Sequence, residues 1–147
     1  MLAKAGFAIA NGGYGGTMLA AAKGASNQKG EIIGVTCSAF KSSKANEFVT
    51  TEVVTESLDE RLKKLLELGD AYVILPGGTG TLLELAMVWE LKNKGFLNGE
   101  KPIILLERFW QPLVELIARD DPKASEYVEI ASDPSQAVDC LVNAFRK

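Results

Sequence analysis

The chain has 147 residues, 47% of them hydrophobic, and a formal net charge of −3, the size and composition of one ordinary globular domain. No apolar run approaches the roughly 20 residues of a membrane span, and the start lacks the charged and long apolar regions of a secretory signal. The scattered Lys and Arg form no basic stripe, so the expectation is a cytoplasmic protein without a membrane or nucleic-acid partner.

Cys37 and Cys140 are the two cysteines and histidine is absent. The thiols read as reduced, no Cys/His cluster is available for structural zinc, and Ser-His-Asp and Cys-His mechanisms are excluded. No metal site is expected.

In chain order, Met1 to Gly6 resembles the last turn of a helix closed by a glycine at C′. That start predicts that an upstream strand and most of a helix are missing from the sequence. Phe7 to Ala10 reads as a short strand, Thr17 to Gln28 as a helix and Glu31 to Thr36 as a strand. Ser38 to Asn46 is polar and reads as a surface loop, and Phe48 to Thr55 has the β-branched content of a short strand. Thr50, Thr51 and Glu52 fit either an exposed strand end or the mouth of a ligand crevice.

The second half is more regular. Ser57 to Leu68 reads as a helix, Ala71 to Leu75 as a strand, Thr81 to Lys94 as a helix and Pro102 to Leu106 as a buried strand. A helix over Trp110 to Arg119 and a short strand over Tyr127 to Ile130 follow. Asp133 to Arg146 is expected to close the chain as a helix, with Asp133 as N-cap and Pro134 at its first position. Trp89, Trp110, Met18 and Met87 are expected in the core, with Met18 directly following a glycine-rich loop.

Alternating strands and helices, with strands apolar enough to be buried on both faces, predict an α/β protein. The expected architecture is a single doubly wound, Rossmann-like domain over residues 1–147, a parallel sheet with helices on both faces but without its usual first strand. In such a fold the ligand crevice lies beyond the carboxyl ends of the strands.

Two glycine-rich loops fall on that edge. Asn11-Gly12-Gly13-Tyr14-Gly15-Gly16-Thr17-Met18 follows the first strand, and Pro76-Gly77-Gly78-Thr79-Gly80-Thr81-Leu82-Leu83-Glu84 follows the strand at 71–75. Gly77, Gly78 and Gly80 allow positive φ and close backbone approach, so successive N–H groups can face an anion where a helix begins. The spacing matches neither Walker A nor G-x-G-x-x-G. Thr81-x-x-Glu84 also reads as a capping box, and the first loop reads either as a second cradle or as a flexible turn.

Two charged residues stand in costly places. Ser57-x-x-Glu60 is a capping box that puts Arg61 in the first helical turns, against the helix dipole and on or beside the stripe of Leu58, Leu62, Leu65 and Leu66. Either Arg61 snorkels or pairs with Glu60 or Glu84, or it contacts an anionic ligand. Glu84 shares a helix with Leu85, Met87, Val88, Trp89 and Leu91, which reads as buried nearly all round. A carboxylate there needs a partner to remain ionised.

Arg61 standing 15 residues before the Pro of Pro76-Gly77-Gly78-x-Gly80-Thr81-x-x-Glu84 resembles the signature of the "lonely guy" (LOG) family, whose members are often labelled lysine decarboxylases. Gly12-Gly13-x-x-Gly16-x-Met18 resembles that family's first loop. The resemblance implies a nucleoside 5′-monophosphate phosphoribohydrolase that needs no cofactor, releases free base and ribose 5-phosphate, and forms homodimers or larger homo-oligomers. It implies Arg61 and Glu84 as the catalytic pair. Gly77, Gly78, Thr79, Gly80 and Thr81 would hold the phosphate, with Gly12, Gly13, Gly16, Thr17 and Met18 as further nucleotide-binding positions.

Plant-type members of the family usually carry Glu-Glu where this chain has Leu83-Glu84, a Lys where it has Leu62, and often a Tyr where it has Thr79. Nothing identifies a pyridoxal-phosphate lysine and its partners, so lysine decarboxylation is not expected. The alternative is a non-catalytic nucleotide or phospho-ligand binding module similar to molybdenum-cofactor carrier proteins, which resemble the same fold and glycine pattern.

Overall fold

The computed structural model describes residues 1–41, 44–97 and 101–146. Ser42 and Ser43, within the predicted surface loop, lie outside the described residues. The chain is an α/β protein whose described strands form two parallel three-stranded sheets, with orders β1-β2-β3 and β4-β5-β6. They belong to two compact units, Met1–Gly69 and Asp70–Lys147.

In the first unit, Ala3–Ala5 forms a single 3-10 turn closed by Gly6 at φ 93°, the left-handed C-terminal cap that the sequence predicts. β1 (Ile9–Asn11), α1 (Thr17–Ser26), β2 (Ile32–Cys37), β3 (Thr51–Thr55) and α2 (Leu58–Leu68) follow. β2 is the central strand, in register Ile9↔Ile32 with β1 and Val35↔Val53 with β3. Being covered on both faces, it is apolar almost throughout, as parallel central strands are. Ala22, Ala25 and Ile32 form a core against Ala3, Ile9, Phe48 and Val49. α1 ends two residues before its predicted end because Asn27 to Lys29 turn, with Lys29 at φ 54°.

In the second unit, β4 (Tyr72–Ile74), α3 (Thr79–Asn93), β5 (Ile103–Leu106), α4 (Gln111–Ala118), a 3-10 segment Pro122–Tyr127, β6 (Glu129–Ala131) and α5 (Pro134–Phe145) follow in order. β5 is central and all four of its residues are buried. Trp89 and Trp110 are core residues, as predicted, and each indole N–H is satisfied: Trp89 Nε1 donates to the Ala124 carbonyl at 2.8 Å and Trp110 Nε1 to the Leu75 carbonyl at 3.0 Å. Asp133 caps α5 as expected, its carboxylate accepting from the N–H groups of Ser135 and Gln136. Those two bonds, the Gln136 one foremost, hold the Asp133 carboxyl below its ordinary value.

Candidate functional site

Arg61 is buried, with 8% of its surface exposed, and its place follows from the start of α2. Ser57 caps the helix by accepting from Glu60 N–H at 3.2 Å. Glu60 completes the cap one residue further back than a standard capping box, accepting from Glu56 N–H at 2.8 Å. The helix then turns Arg61, Leu62 and Leu66 inward and leaves Leu58 44% exposed. Arg61 is therefore part of the buried stripe, and Leu58 is not.

A buried guanidinium needs compensation for several kcal/mol of lost hydration. Arg61 Nε donates to the Val35 carbonyl at 2.9 Å, and its Cζ lies over the Tyr14 ring at 5.5 Å and the Phe40 ring at 5.7 Å. The two rings are themselves 5.9 Å apart and tilted by 40°. Each cation–π contact contributes about 0.5–2 kcal/mol, and a hydrogen bond from a charged donor about 1.5–3 kcal/mol.

The first glycine loop rests on this group. A side chain on Gly12 would overlap Arg61 Nη2, stand 2.6 Å from Met18 Sδ and lie 3.0 Å from Arg61 Cζ, so the absence of a Cβ is what admits the guanidinium. Gly13 has φ 76° and lies against the backbone of Gly34 and the methyl of Thr36, so both its conformation and its surroundings require glycine. Gly16 adopts φ 63°, ψ −134° as the N-cap of α1. Thr17 is exposed at the first turn, and Met18 is half-buried against Gly12.

The loop is built rather than slack. Asn11 Oδ1 accepts from Gly13 N–H at 2.8 Å while Asn11 Nδ2 donates to the Met18 carbonyl. Asn46 Nδ2 donates to the carbonyls of Gly13 and Tyr14 at 2.9 and 3.0 Å. The Tyr14 hydroxyl accepts from Cys37 N–H at 2.7 Å and donates to the Cys37 carbonyl at 3.3 Å. The flexible-turn reading of this loop does not fit so many anchors.

In the second unit the Pro76 loop leads into α3, but two details differ from expectation. Gly77, Gly78 and Gly80 do not have positive φ; among the described glycines that property belongs to Gly6, Gly13, Gly16 and Gly95. The helix starts at Thr79 with Gly78 as N-cap in extended geometry, and no side chain caps it. Thr81 is therefore inside the first turn, not at the N-cap, and the predicted capping box is absent. Its side chain instead folds over Gly77, where a Cβ would overlap Thr81 Oγ1. Gly78, Thr79 and Gly80 are exposed, and a Cβ on Gly78 or Gly80 would meet nothing within 4 Å.

That geometry suits an anion. The first-turn N–H groups of a 15-residue helix, uncapped by side chains and fronted by residues without bulk, are what a phosphate can approach. Glu84 follows in the second turn and is half-buried. α3 is not buried all round: Leu85, Val88 and Trp89 are buried, while Leu82 and Leu83 are 37% and 43% exposed. An apolar groove of about 360 Å³, lined by Leu82, Ala86, Trp89, Leu113 and Ile117 among others, runs beside this helix and involves none of the predicted site residues.

The structure thus brings Arg61 together with Gly12 and Met18 in the first unit, and Gly77 to Thr81 with Glu84 on one loop and helix in the second. Thr50 is structural, its Oγ1 accepting from Ile32 N–H and donating to the Ile32 carbonyl, both at 2.9 Å. Glu52 accepts from the buried Thr36 hydroxyl at 2.7 Å. Cys37 is buried, and Cys140 donates its thiol proton to Glu129 at 2.8 Å, a bond that with burial pushes the thiol up to about 11. Among the described residues, no three His, Cys, Asp or Glu side chains group to hold a metal. No described helix is long and apolar enough to cross a membrane.

The side chains around Arg61 and its loop that sequence reading missed are Tyr14, Phe40 and Asn46. Asn11 carried a usable signal, since an Asn two residues before a glycine N–H is an Asx-turn pattern. Phe40 and Asn46 come from a loop without periodicity, and nothing in their spacing assigns them to Arg61.

Residues 18–141 match the family described as "possible lysine decarboxylase". An uncharacterized protein of Archaeoglobus fulgidus is 30% identical over 107 residues, covering 73% of this chain and 68% of that protein. A cytokinin riboside 5′-monophosphate phosphoribohydrolase of Rhodococcoides fascians is 32% identical over 106 residues. That match covers 69% of this chain and about half, 52%, of the relative.

Among solved structures, the molybdenum cofactor carrier protein of Chlamydomonas reinhardtii superposes with a TM-score of 0.77 at 26% identity, covering 99% of this chain and 82% of that one. The molybdenum cofactor binding protein of Rippkaea orientalis gives 0.76 at 27% identity, covering 97% and 80%. With the family match extending over most of its length and a Rossmann-like fold shared with these structures, the chain belongs to the lysine-decarboxylase-like (LOG) family.

Proposed function

We propose that the protein is a nucleoside 5′-monophosphate phosphoribohydrolase, adding water across the N-glycosidic bond to give free base and ribose 5-phosphate. The observation that carries this reading is the start of α3, where exposed and side-chain-free backbone at Gly78 and Gly80 offers uncapped N–H groups to a phosphate, with Glu84 one turn on. The named activity of the Rhodococcoides relative supports it at family level.

In this reading Gly77, Gly78, Thr79, Gly80 and Thr81 bind the 5′-phosphate, and Gly12, Gly13, Gly16, Thr17 and Met18 are nucleotide-binding positions. Glycosidic cleavage passes through an oxocarbenium-like state, which the Glu84 carboxylate stabilises while directing water or the ribose hydroxyls. Arg61 orients the nucleotide or offsets negative charge growing on the departing base. The protein acts as a homodimer or larger homo-oligomer in the cytoplasm, without a cofactor.

The second reading is a phospho-ligand binding module, favoured by the likeness to two molybdenum-cofactor proteins over nearly the whole chain. A panel of nucleoside monophosphates separates the two. The hydrolase releases ribose 5-phosphate, and Glu84→Gln abolishes release while retaining phosphate-dependent binding. Absence of release from every monophosphate, with tight binding unchanged in Glu84→Gln, supports the binding module.

A further inference from the structure

We propose that Tyr14 and Phe40 are positioning residues for Arg61, fixing its guanidinium against the first glycine loop before any ligand arrives. The inference rests on Arg61 being a functional arginine, and it adds two aromatic residues that neither its motif nor its helix would suggest.

A free arginine side chain samples many rotamers, and a ligand that binds it must order them. Among the contacts that remove that freedom are the Val35 carbonyl on Nε and the two rings under Cζ at 5.5 and 5.7 Å. With the rings 5.9 Å apart, the guanidinium carbon and the two ring centroids form a nearly equilateral triangle.

The rings are themselves fixed to one point of the backbone. Tyr14 bonds Cys37 through its hydroxyl in both directions, and Phe40 N–H donates to the same Cys37 carbonyl at 3.1 Å. Asn46 holds the Tyr14 carbonyl. The end of β2 therefore places both rings, and the rings place the cation. Phe40 is 36% exposed, so part of its ring is not committed to the core. Core packing alone would put a large aliphatic residue there equally well, so the aromatic requirement is what distinguishes the two accounts.

The test uses phenylglyoxal, an arginine-specific dicarbonyl, with modification of Arg61 followed by peptide mass spectrometry and Arg108, Arg119 and Arg146 as internal references. Arg61 should react slowly in the wild type. In Phe40→Leu, which keeps apolar bulk and loses the ring face, it should react about fivefold faster, the loss of one exposed cation–π contact. Phe40→Tyr should restore protection, and Tyr14→Phe should loosen Arg61 less than Tyr14→Leu does.

Equal Arg61 reactivity in wild type, Phe40→Leu and Tyr14→Leu overturns the proposal, as does acceleration in Phe40→Tyr matching that in Phe40→Leu. The readout does not require turnover, so a protein that proves to hydrolyse nothing still tests the aromatic placement. Where turnover is measured, Phe40→Leu should lower kcat/KM about fivefold per folded protein, whereas a merely structural role would leave kcat/KM of the folded protein unchanged.

Discussion

Gly12→Ala tests the coupling between the first glycine loop and Arg61. The new methyl would overlap Arg61 Nη2 and lie 2.6 Å from Met18 Sδ. Met18 can swing away, but the loop cannot readily retreat, since Asn11 holds Gly13 N–H and Asn46 holds the Gly13 carbonyl. The guanidinium must therefore move. Displacing it forfeits about 1 kcal/mol from the rings and about 1.5–3 kcal/mol from the bond to Val35, in total about 2.5–4 kcal/mol. At about 2–4 °C per kcal/mol for a chain of this size, the melting temperature should fall by about 5–15 °C.

The decisive form is a double-mutant cycle by urea denaturation. Arg61→Met keeps a long apolar stem and removes the atoms that the methyl would meet. In that background Gly12→Ala should cost less than about 1 kcal/mol, the residue of the Met18 contact, leaving a coupling of at least about 1 kcal/mol. Strict additivity of the two substitutions, within about 0.5 kcal/mol, would refute the reasoning.

The second glycine loop makes contrasting predictions. Gly77→Ala meets the Thr81 side chain and should lower stability, whereas Gly80→Ala enters open space inside a helix and should raise it by up to about 1 kcal/mol while weakening ribose 5-phosphate binding, both measurable by thermal shift with and without ligand. Because the Asp133 carboxyl titrates below its ordinary value of 3.8 in the folded protein, its cap contributes fully above that pH and is lost as pH falls through the lower folded value. Asp133→Ala should accordingly destabilise the protein at pH 7, with a difference from wild type that shrinks below pH 3.8 in acid unfolding curves. Cys140, pushed up to about 11, should alkylate with iodoacetamide at pH 8 about a hundredfold more slowly than an ordinary thiol, and Glu129→Gln should speed it.

Much of the fold is legible because buried parallel strands leave apolar runs. Ala71 to Leu75 and Pro102 to Leu106 announce β4 and β5, and their ends are trimmed in the structure because hydrogen bonding, not hydropathy, sets strand length. The arrangement in two sheets is not legible, since strand pairing is decided by contacts distant in sequence. Thr81 lies inside α3 although Thr-x-x-Glu looks like a cap, because the residue that caps α3, Gly78, has no side chain to advertise it. Glycine permits positive φ without revealing whether it is used: Gly13 uses it, whereas Gly77 serves the close approach of the Thr81 side chain instead.

Arg61 was legible through its cost, a cation facing a helix dipole on an apolar stripe. Its companions were not, because Tyr14 and Phe40 reach it from other elements and aromatic contacts obey no sequence spacing. Glu84 draws notice in the same way, although its helix is more exposed at Leu82 and Leu83 than an all-buried helix would be.

The most direct test of the proposed function is parallel quantification of free base and ribose 5-phosphate after incubating the protein with each common nucleoside 5′-monophosphate and with the matching nucleosides. The account predicts the two products in equal amounts from at least one monophosphate, none from its nucleoside, and none with Glu84→Gln. Monophosphates that bind and shift the melting temperature, with neither product formed from any of them, would contradict it.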